Sequence, residues 1–241
     1  STPSALREQL SLIRKLADYH QDYSVEAFLF NLADRFPREN QIAAIAEAAR
    51  KIGYPHLAIR IGKEHFGDTG DWLQPISHPV PNIPRDLAVE PALTLAIARQ
   101  ESEFNPDARS GADARGLMQL LPSTARSVAK KNGIRHSPDM LSDPSHNMRL
   151  GSLYLAELID KFDGAYPLAI AAYNAGPGRV SEWQRKFGPF PRDLESQLRW
   201  LEQIPFTETR NYVQRVLENL QVYRELLGEK EPLTPQRMFG Q

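Results

Sequence analysis

Apolar residues recur at helical spacing along most of the chain. Leu6, Leu10, Ile13, Leu16 and Ala17 form one stripe, and Val25, Phe28, Leu29 and Leu32 form the next. Ile42, Ile45 and Ala46, then Leu57, Ile61 and His65, continue it, at intervals that return to one face of an α-helix. Residues 1–72 therefore predict two helical hairpins of the kind that stack in an α-solenoid, although they resemble one another only weakly in sequence. A solenoid needs roughly three stacked repeats to stand alone, so either these helices pack on the rest of the chain or more solenoid precedes them.

Pro75, Pro79, Pro81 and Pro84 interrupt the next stretch. Each removes a backbone donor and restricts the residue before it, so residues 73–85 read as a Pro-rich linker holding neither helix nor central strand. Helical spacing resumes at about 86–104, 122–132, 144–163, 166–175, 178–187, 194–202 and 207–227, and no segment alternates as a strand would. Asp143-Pro144 predicts an N-cap and first turn, Gly164 and Gly176 predict helix stops, and Thr207 predicts the cap of the last long helix. The fold class expected is all-α, with a second domain over 86–230 and a tail over 231–241.

A content of 41% hydrophobic and 24% charged residues is that of a folded chain rather than a disordered one. Cysteine is absent, which excludes disulfides, thiolate metal sites and cysteine nucleophiles. The formal charge is −1, without the basic excess that phosphate binding demands, so nucleic acid is not an expected partner. No apolar run approaches the roughly 20 residues that span a bilayer. The first residue is Ser rather than Met, which reads as a processed or cut chain with any export signal missing.

Metal-protease, serine-hydrolase and nucleotide-loop motifs are absent, and the six histidines are scattered without ligand spacing. Neither metal nor cofactor is expected. Carboxylates remain, and Glu101 stands out because steps of four from Leu93 through Ile97 land on it. Glu103 is expected about 200° away from that stripe, by the helical period. Asn105-Pro106 ends the helix just beyond, so Glu101 lies near the negative end of the helix dipole among apolar neighbours, and both disfavour ionisation. A raised pKa suits a general acid. Pairing of Glu101 with Arg99, Arg109 or Arg115 as a structural carboxylate is the alternative. In Ser110 to Gln119, Gly111 and Gly116 permit left-handed or close-approach backbone, and Met118 and Gln119 offer a soft apolar contact beside an amide. Asn174 and Gly176 serve equally as helix-ending residues, and Tyr212, one turn from Glu208, serves equally as core.

Arg99-Gln100-Glu101-Ser102, then Gly116-Leu117-Met118-Gln119 with Pro122, then Ala172-Tyr173-Asn174-Ala175-Gly176, resemble in sequence and order the soluble lytic murein transglycosylases. Ile204-Pro205-Phe206-Thr207-Glu208-Thr209-Arg210-Asn211-Tyr212 resembles a fourth, C-terminal signature of that family, and Leu121 stands where the family also allows methionine. The resemblance covers about 85–227, while the preceding helices are similar to the end of the family's α-superhelical region. It implies a goose-type-lysozyme-like helical domain that cleaves the β-1,4 bond between N-acetylmuramic acid and N-acetylglucosamine in peptidoglycan and leaves a 1,6-anhydromuramoyl end. Glu101 matches the family's single catalytic glutamate, acid first and base second. By the same resemblance Ser110 seats the muramic acetamido group, Met118 and Gln119 line the groove, Tyr173, Asn174 and Tyr212 support the glutamate or the sugar, and Glu208 stands behind them.

The partners so implied are peptidoglycan glycan strands and other cell-wall enzymes. The chain is expected to act as a monomer in the periplasm, and with few superhelical helices it is expected to be less selective for strand ends. The competing readings are a goose-type-lysozyme-like hydrolase and a non-catalytic peptidoglycan-binding or scaffold module.

Overall fold

A computed structural model describes residues 3–18, 22–66 and 74–229. The 231–241 tail expected from sequence lies outside the described residues, as does the side chain of Leu16. Among the described residues there are twelve α-helices, one 3-10 helix and no strand, in agreement with the apolar spacing. None of these helices is long and apolar enough to cross a membrane. The chain divides into two compact units, Ser1–Pro81 with Glu103–Asn105, and Asn82–Ser102 with Pro106–Gln241.

In the first unit α1 (Ser4–Asp18), α2 (Asp22–Arg35), α3 (Glu39–Lys51) and α4 (Pro55–Phe66) pack each on the next. Their stripes make one core of Leu6, Ile13, Val25, Leu29, Leu32, Ile42, Ile45, Ala46, Leu57 and Ile61, with Leu10, Ala17 and Phe28 partly buried against it. His65, at the end of the α4 stripe, is partly buried and bonds through Nδ1 to the Ile61 carbonyl at 3.0 Å. The segment read as helix-free holds a single turn, α5 (Gln74–Ser77). Pro75 is its second residue, where a missing N–H costs nothing, and Ile76 reaches the core of this unit.

The second unit is built around α6 (Pro91–Ser102), which is buried on every side from Ala92 to Ala98. A helix apolar all round needs neighbours all round. α6 packs on α12 (Thr207–Leu226) and on α8 (Pro144–Lys161), and α12 also packs on α9 (Tyr166–Ala175). α9 joins α8 and α10 (Pro177–Phe187), and α8 carries α7 (Pro122–Lys131) and the 3-10 turn Pro138–Ser142. α11 (Leu194–Glu202) is anchored by Trp200, whose indole N–H donates to the Gly188 carbonyl at 3.1 Å and whose ring takes Phe187 and Phe190 edge-on.

Several boundaries differ from expectation. α6 begins at Pro91 rather than near 86, because a proline disfavours helical backbone in the residue before it. It ends at Ser102, where Glu103 (φ 53°) and Phe104 (φ 66°) turn left-handed. Glu103 is therefore not on the helix that would set it 200° from Glu101, and it pairs instead with Lys63 within the first unit. Thr207 is the first residue of α12 and not its cap, since Phe206 before it is the extended residue. Asp143 does cap α8, accepting the His146 N–H at 2.6 Å, and α9 ends at Gly176.

Candidate active site

Glu101 is the penultimate residue of α6, placed on the buried face by the Leu93 and Ile97 repeat. Its Oε1 accepts the hydroxyl of Tyr212 from α12 at 2.5 Å. Burial pushes the Glu101 carboxyl up to about 7, the charge of Glu208 adds to the rise, and the Tyr212 bond opposes it. The arginines that could have made it a structural carboxylate are engaged elsewhere. Arg99 donates to Asn219 at 3.1 Å, and Arg109 and Arg115 both hold Asp113, at 2.7 and 2.9 Å.

The carboxyl opens into a pocket of about 270 Å³ lined by Gln100, Glu101, Asn174, Glu208, Asn211, Tyr212 and Arg215. Asn174, at the end of α9, accepts the buried Thr209 hydroxyl at 2.7 Å, which fixes its side chain and leaves its NH₂ for the pocket. Tyr212 and Tyr173 are both held well above the usual phenol range, by burial first and the Glu101 charge second, so both remain hydrogen-bond donors. Tyr173 spends its hydroxyl on the Met118 carbonyl at 2.8 Å and packs its ring on Tyr154. It thereby ties the loop before α7 to α9.

That loop is more ordered than its sequence suggests. Arg109 bridges to Arg115 and Arg115 to Leu120 in antiparallel fashion, a pairing too short to signal as strand. Gly111 is not where the backbone turns left-handed; Asp113 (φ 64°), Gly116 (φ 73°) and Gln119 (φ 47°) are. Gly116 is required twice over, because a Cβ there would lie 2.1 Å from the Leu141 carbonyl oxygen and 2.3 Å from Asn147 Nδ2. Asn147, fully buried on α8, holds the loop by accepting the Met118 N–H at 2.8 Å and donating to the carbonyls of Arg115 and Leu141 at 2.9 and 3.0 Å.

The predicted residues thus fall into two groups. Glu101, Asn174, Glu208 and Tyr212 line one pocket, with Tyr173 close enough to feel the Glu101 charge. Ser110, Met118 and Gln119 belong to the loop instead. Ser110 is exposed and its hydroxyl accepts the Ala114 N–H at 3.0 Å. Gln119 donates its amide to the carbonyls of Ala108 and Gly116 at 2.9 and 3.0 Å. Met118 corrects the expectation that it lines a groove, for its side chain is fully buried against Gly151, where any Cβ would come within 2.3 Å of its sulfur.

Gln100, Asn211 and Arg215 line the pocket and were not singled out from sequence. For the last two the signal was present, since they lie three and seven residues beyond Glu208 on one helix face. Asn147 gave none, being one of several polar residues in the first turns of an amphipathic helix. Among the described residues no group of three or more His, Asp or Glu side chains is placed to hold a metal ion.

Comparison with known proteins bears on this arrangement. Residues 84–194 match the model of the transglycosylase SLT domain, and residues 203–232 match that of the soluble lytic transglycosylase helical domain. A soluble lytic murein transglycosylase of Salmonella typhimurium is 40% identical over 151 residues, 62% of this chain and 23% of the relative. The crystal structure of the 70-kDa soluble lytic transglycosylase of Escherichia coli superposes with a TM-score of 0.79 at 30% identity, covering 100% of this chain and 38% of that one. The lytic transglycosylase Slt of Pseudomonas aeruginosa, solved as an inactive Glu-to-Gln variant, superposes with a TM-score of 0.75 at 32% identity, covering 94% and 38%. This chain therefore spans well under half the length of the relatives it matches. Over residues 84–194 the chain carries a transglycosylase SLT domain, and the lysozyme-like helical fold around Glu101 is similar to that of the soluble lytic murein transglycosylases.

Proposed function

We propose that this chain is a peptidoglycan lytic transglycosylase, cleaving the β-1,4 bond between N-acetylmuramic acid and N-acetylglucosamine and forming a 1,6-anhydromuramoyl end, with Glu101 as acid and then base. The observation that carries the reading is one largely buried carboxyl, raised to about 7 with no cation bonded to it among the described residues, opening into a pocket. Such a group still holds its proton at neutral pH and can take one back afterwards.

In the first step Glu101 gives its proton to the glycosidic oxygen as the bond from C1 breaks and the N-acetylglucosamine hydroxyl departs. The muramic acetamido group relieves the charge at C1, which is why a second carboxylate is not needed. The Glu101 carboxylate then removes the proton of the C6 hydroxyl as that oxygen attacks C1. The acid is restored and no water is consumed. Tyr212 holds the carboxylate form between the two steps, its hydroxyl being the one donor bonded to it among the described residues. Asn174 presents its amide to the sugar, Tyr173 and Gln119 keep the loop in place, and Ser110 seats the acetamido group from the exposed side of that loop. Glu208 acts on Glu101 through its charge.

In this reading residues 86–230 are the catalytic domain, 73–85 a linker and 1–72 the end of an α-superhelical domain. The chain works as a monomer on glycan strands in the periplasm, alongside other cell-wall enzymes. The membrane-bound and soluble murein transglycosylases among its Gram-negative relatives support that setting. The solved Pseudomonas aeruginosa relative is an inactive form carrying glutamine for a glutamate, the substitution that tests Glu101 here. Peptidoglycan digested by the chain and by Glu101→Gln, with products weighed by mass spectrometry, decides the matter. Ends lighter than reducing ends by one water, and lost with the variant, are expected. Reducing ends would make the chain a lysozyme-like hydrolase, and no release by either protein would make it a binding module.

A further inference from the structure

Several arginines of the second unit are committed within the fold. Arg109 and Arg115 hold Asp113, Arg149 holds Asp86, Arg199 holds Glu195, and Arg224 holds Glu90. Arg99 reaches Asn219, and Arg210 reaches the Ile204 carbonyl and Thr207. Among the residues of the Glu101 pocket the one arginine is Arg215. It lines the Glu101 pocket, is exposed, and among the described residues makes no hydrogen bond or ion pair. Two amides of the same pocket, Gln100 and Asn211, are likewise unbonded.

The placement of these groups along α12 gives the pocket two ends. Glu208, Asn211, Tyr212 and Arg215 share one face, and the seven residues from Glu208 to Arg215 span about 10 Å at the helical rise. One end of the wall is therefore acidic and the other basic, with the Glu101 carboxyl and the Tyr212 hydroxyl between them along the wall. A guanidinium presents its donors in a fork that fits a carboxylate, and neighbouring amide N–H groups complete such a seat. A neutral chain of N-acetylglucosamine offers nothing for it. Muramic acid does, either as a free lactyl carboxylate or, where that group is amide-linked, through the carboxylates of the attached peptide.

We propose that Arg215, with the amides of Gln100 and Asn211, binds a carboxylate of the glycan strand and makes the pocket selective for anionic over neutral polymer. The inference rests on the reading of this site as that of a peptidoglycan lytic transglycosylase. Arg215 is a specificity-determining residue here, distinct from the acid and from the tyrosine that holds it.

The experiment crosses the charge on the protein with the charge on the substrate. Soluble strands carrying peptide stems, and strands stripped to the free lactyl acid, are each used native and after carbodiimide coupling to methylamine. Release of anhydro ends is followed against substrate concentration for the wild-type chain, Arg215→Gln and Arg215→Lys. On native strands Arg215→Gln is expected to raise KM by about ten-fold, the scale of one charge-assisted hydrogen bond, with Arg215→Lys between the two. Methylamidation is expected to raise the wild-type KM by the same factor and to leave Arg215→Gln nearly where it was. Coupling confined to stem-bearing strands assigns the carboxylate to the peptide, and coupling confined to stripped strands assigns it to the lactyl group; both support the seat. Equal responses of wild type and Arg215→Gln to methylamidation overturn it while the lyase reading stands. Absence of anhydro ends from the wild type on every substrate overturns the lyase reading instead. The same cross is therefore repeated by calorimetric binding, where equal affinities overturn the carboxylate seat and a charge-dependent difference sustains it without turnover. Thermal melts of both variants control for folding, which an exposed and unbonded side chain leaves intact.

Discussion

Two carboxylates flank the same buried helix, and they have been put to opposite uses. Glu90 directly precedes α6 and Glu101 lies in its last turn. Each accepts a tyrosine hydroxyl, Tyr166 for Glu90 at 2.9 Å and Tyr212 for Glu101 at 2.5 Å. The difference is a cation. Glu90 is bridged to Arg224 of α12, and both side chains are nearly out of reach of water, at 11% and 7% exposed. Glu101 has no bonded cation among the described residues, sits at the negative rather than the positive end of the helix dipole, and has the charge of Glu208 for company. Burial with a counter-ion makes a structural joint between α6, α9 and α12. Burial without one makes an acid that keeps its proton to neutral pH.

The sharpest way to break this contrast is to remove the charge from each carboxylate in turn. Glu101→Gln is expected to lower release of anhydro ends by a factor of about 10²–10⁴, the usual weight of a general acid–base group, without loss of stability. Glu90→Gln is expected to do the reverse. It leaves the Arg224 guanidinium buried without its counter-charge, which costs about 3–5 kcal/mol in unfolding free energy by urea titration. The folded fraction should still cleave with the wild-type pH profile. Equal losses of activity and stability in both variants would erase the distinction.

A smaller but more specific effect comes from pH. The Glu101 acid has a reference pKa of 4.5 and is raised to about 7 in the folded chain. Between those values the folded chain keeps a proton that the unfolded chain has released, so unfolding frees a proton. Stability therefore falls as pH rises through this window, by about 3 kcal/mol once pH exceeds the folded value. Glu101→Gln removes that dependence. The variant should be more stable than wild type by about that amount at pH 8, with the gap closing as pH falls towards 4.5. Over the same range kcat/KM of the wild type should fall about ten-fold per pH unit above 7, as the acid form is depleted. A variant no more stable than wild type at pH 8 would mean that the carboxyl is not disfavoured as an anion by its surroundings.

Of this pair of carboxylates only Glu101 was legible in the sequence, and the reason is physical. Glu101 interrupts an apolar stripe, and a charge on a buried face is visible from periodicity alone. Glu90 precedes that stripe, and its partner Arg224 is 134 positions away, a pairing created only when α12 packs on α6. The helices themselves were readable for the same reason as Glu101, because the stripes of α1 to α4 and the run through α6 are local patterns. Where a boundary was missed, a single residue decided it: Pro91 set the start of α6 and Pro75 allowed the short α5. The loop from 108 to 120 was the least legible part. Its order comes from Asn147 and Tyr173, on helices later in the chain, and its left-handed turns fall on Asp113 and Gln119 as well as on the expected Gly116, and not on Gly111. Met118 looked available for ligand in a glycine-bearing loop and became core when α8 presented Gly151 to it.

The finest test of the contrast is between the two tyrosines, because both hydroxyls donate to a carboxylate and, among the described residues, only the Glu90 carboxylate is bridged to a cation. The Tyr212 bond favours the anionic form of Glu101 and so works against burial. Tyr212→Phe should therefore move the Glu101 pKa further up from about 7, and the high-pH fall of kcat/KM should shift to higher pH with it. The maximal rate should drop by less than about ten-fold, since one hydrogen bond is lost and the acid itself remains. Tyr166→Phe should cost about 1 kcal/mol in unfolding and leave the pH profile in place, because the Arg224 bridge still holds Glu90. A profile that shifts to lower pH in Tyr212→Phe would show that the hydroxyl favours the protonated acid, and the tyrosine would then hold Glu101 ready for the first step rather than the second.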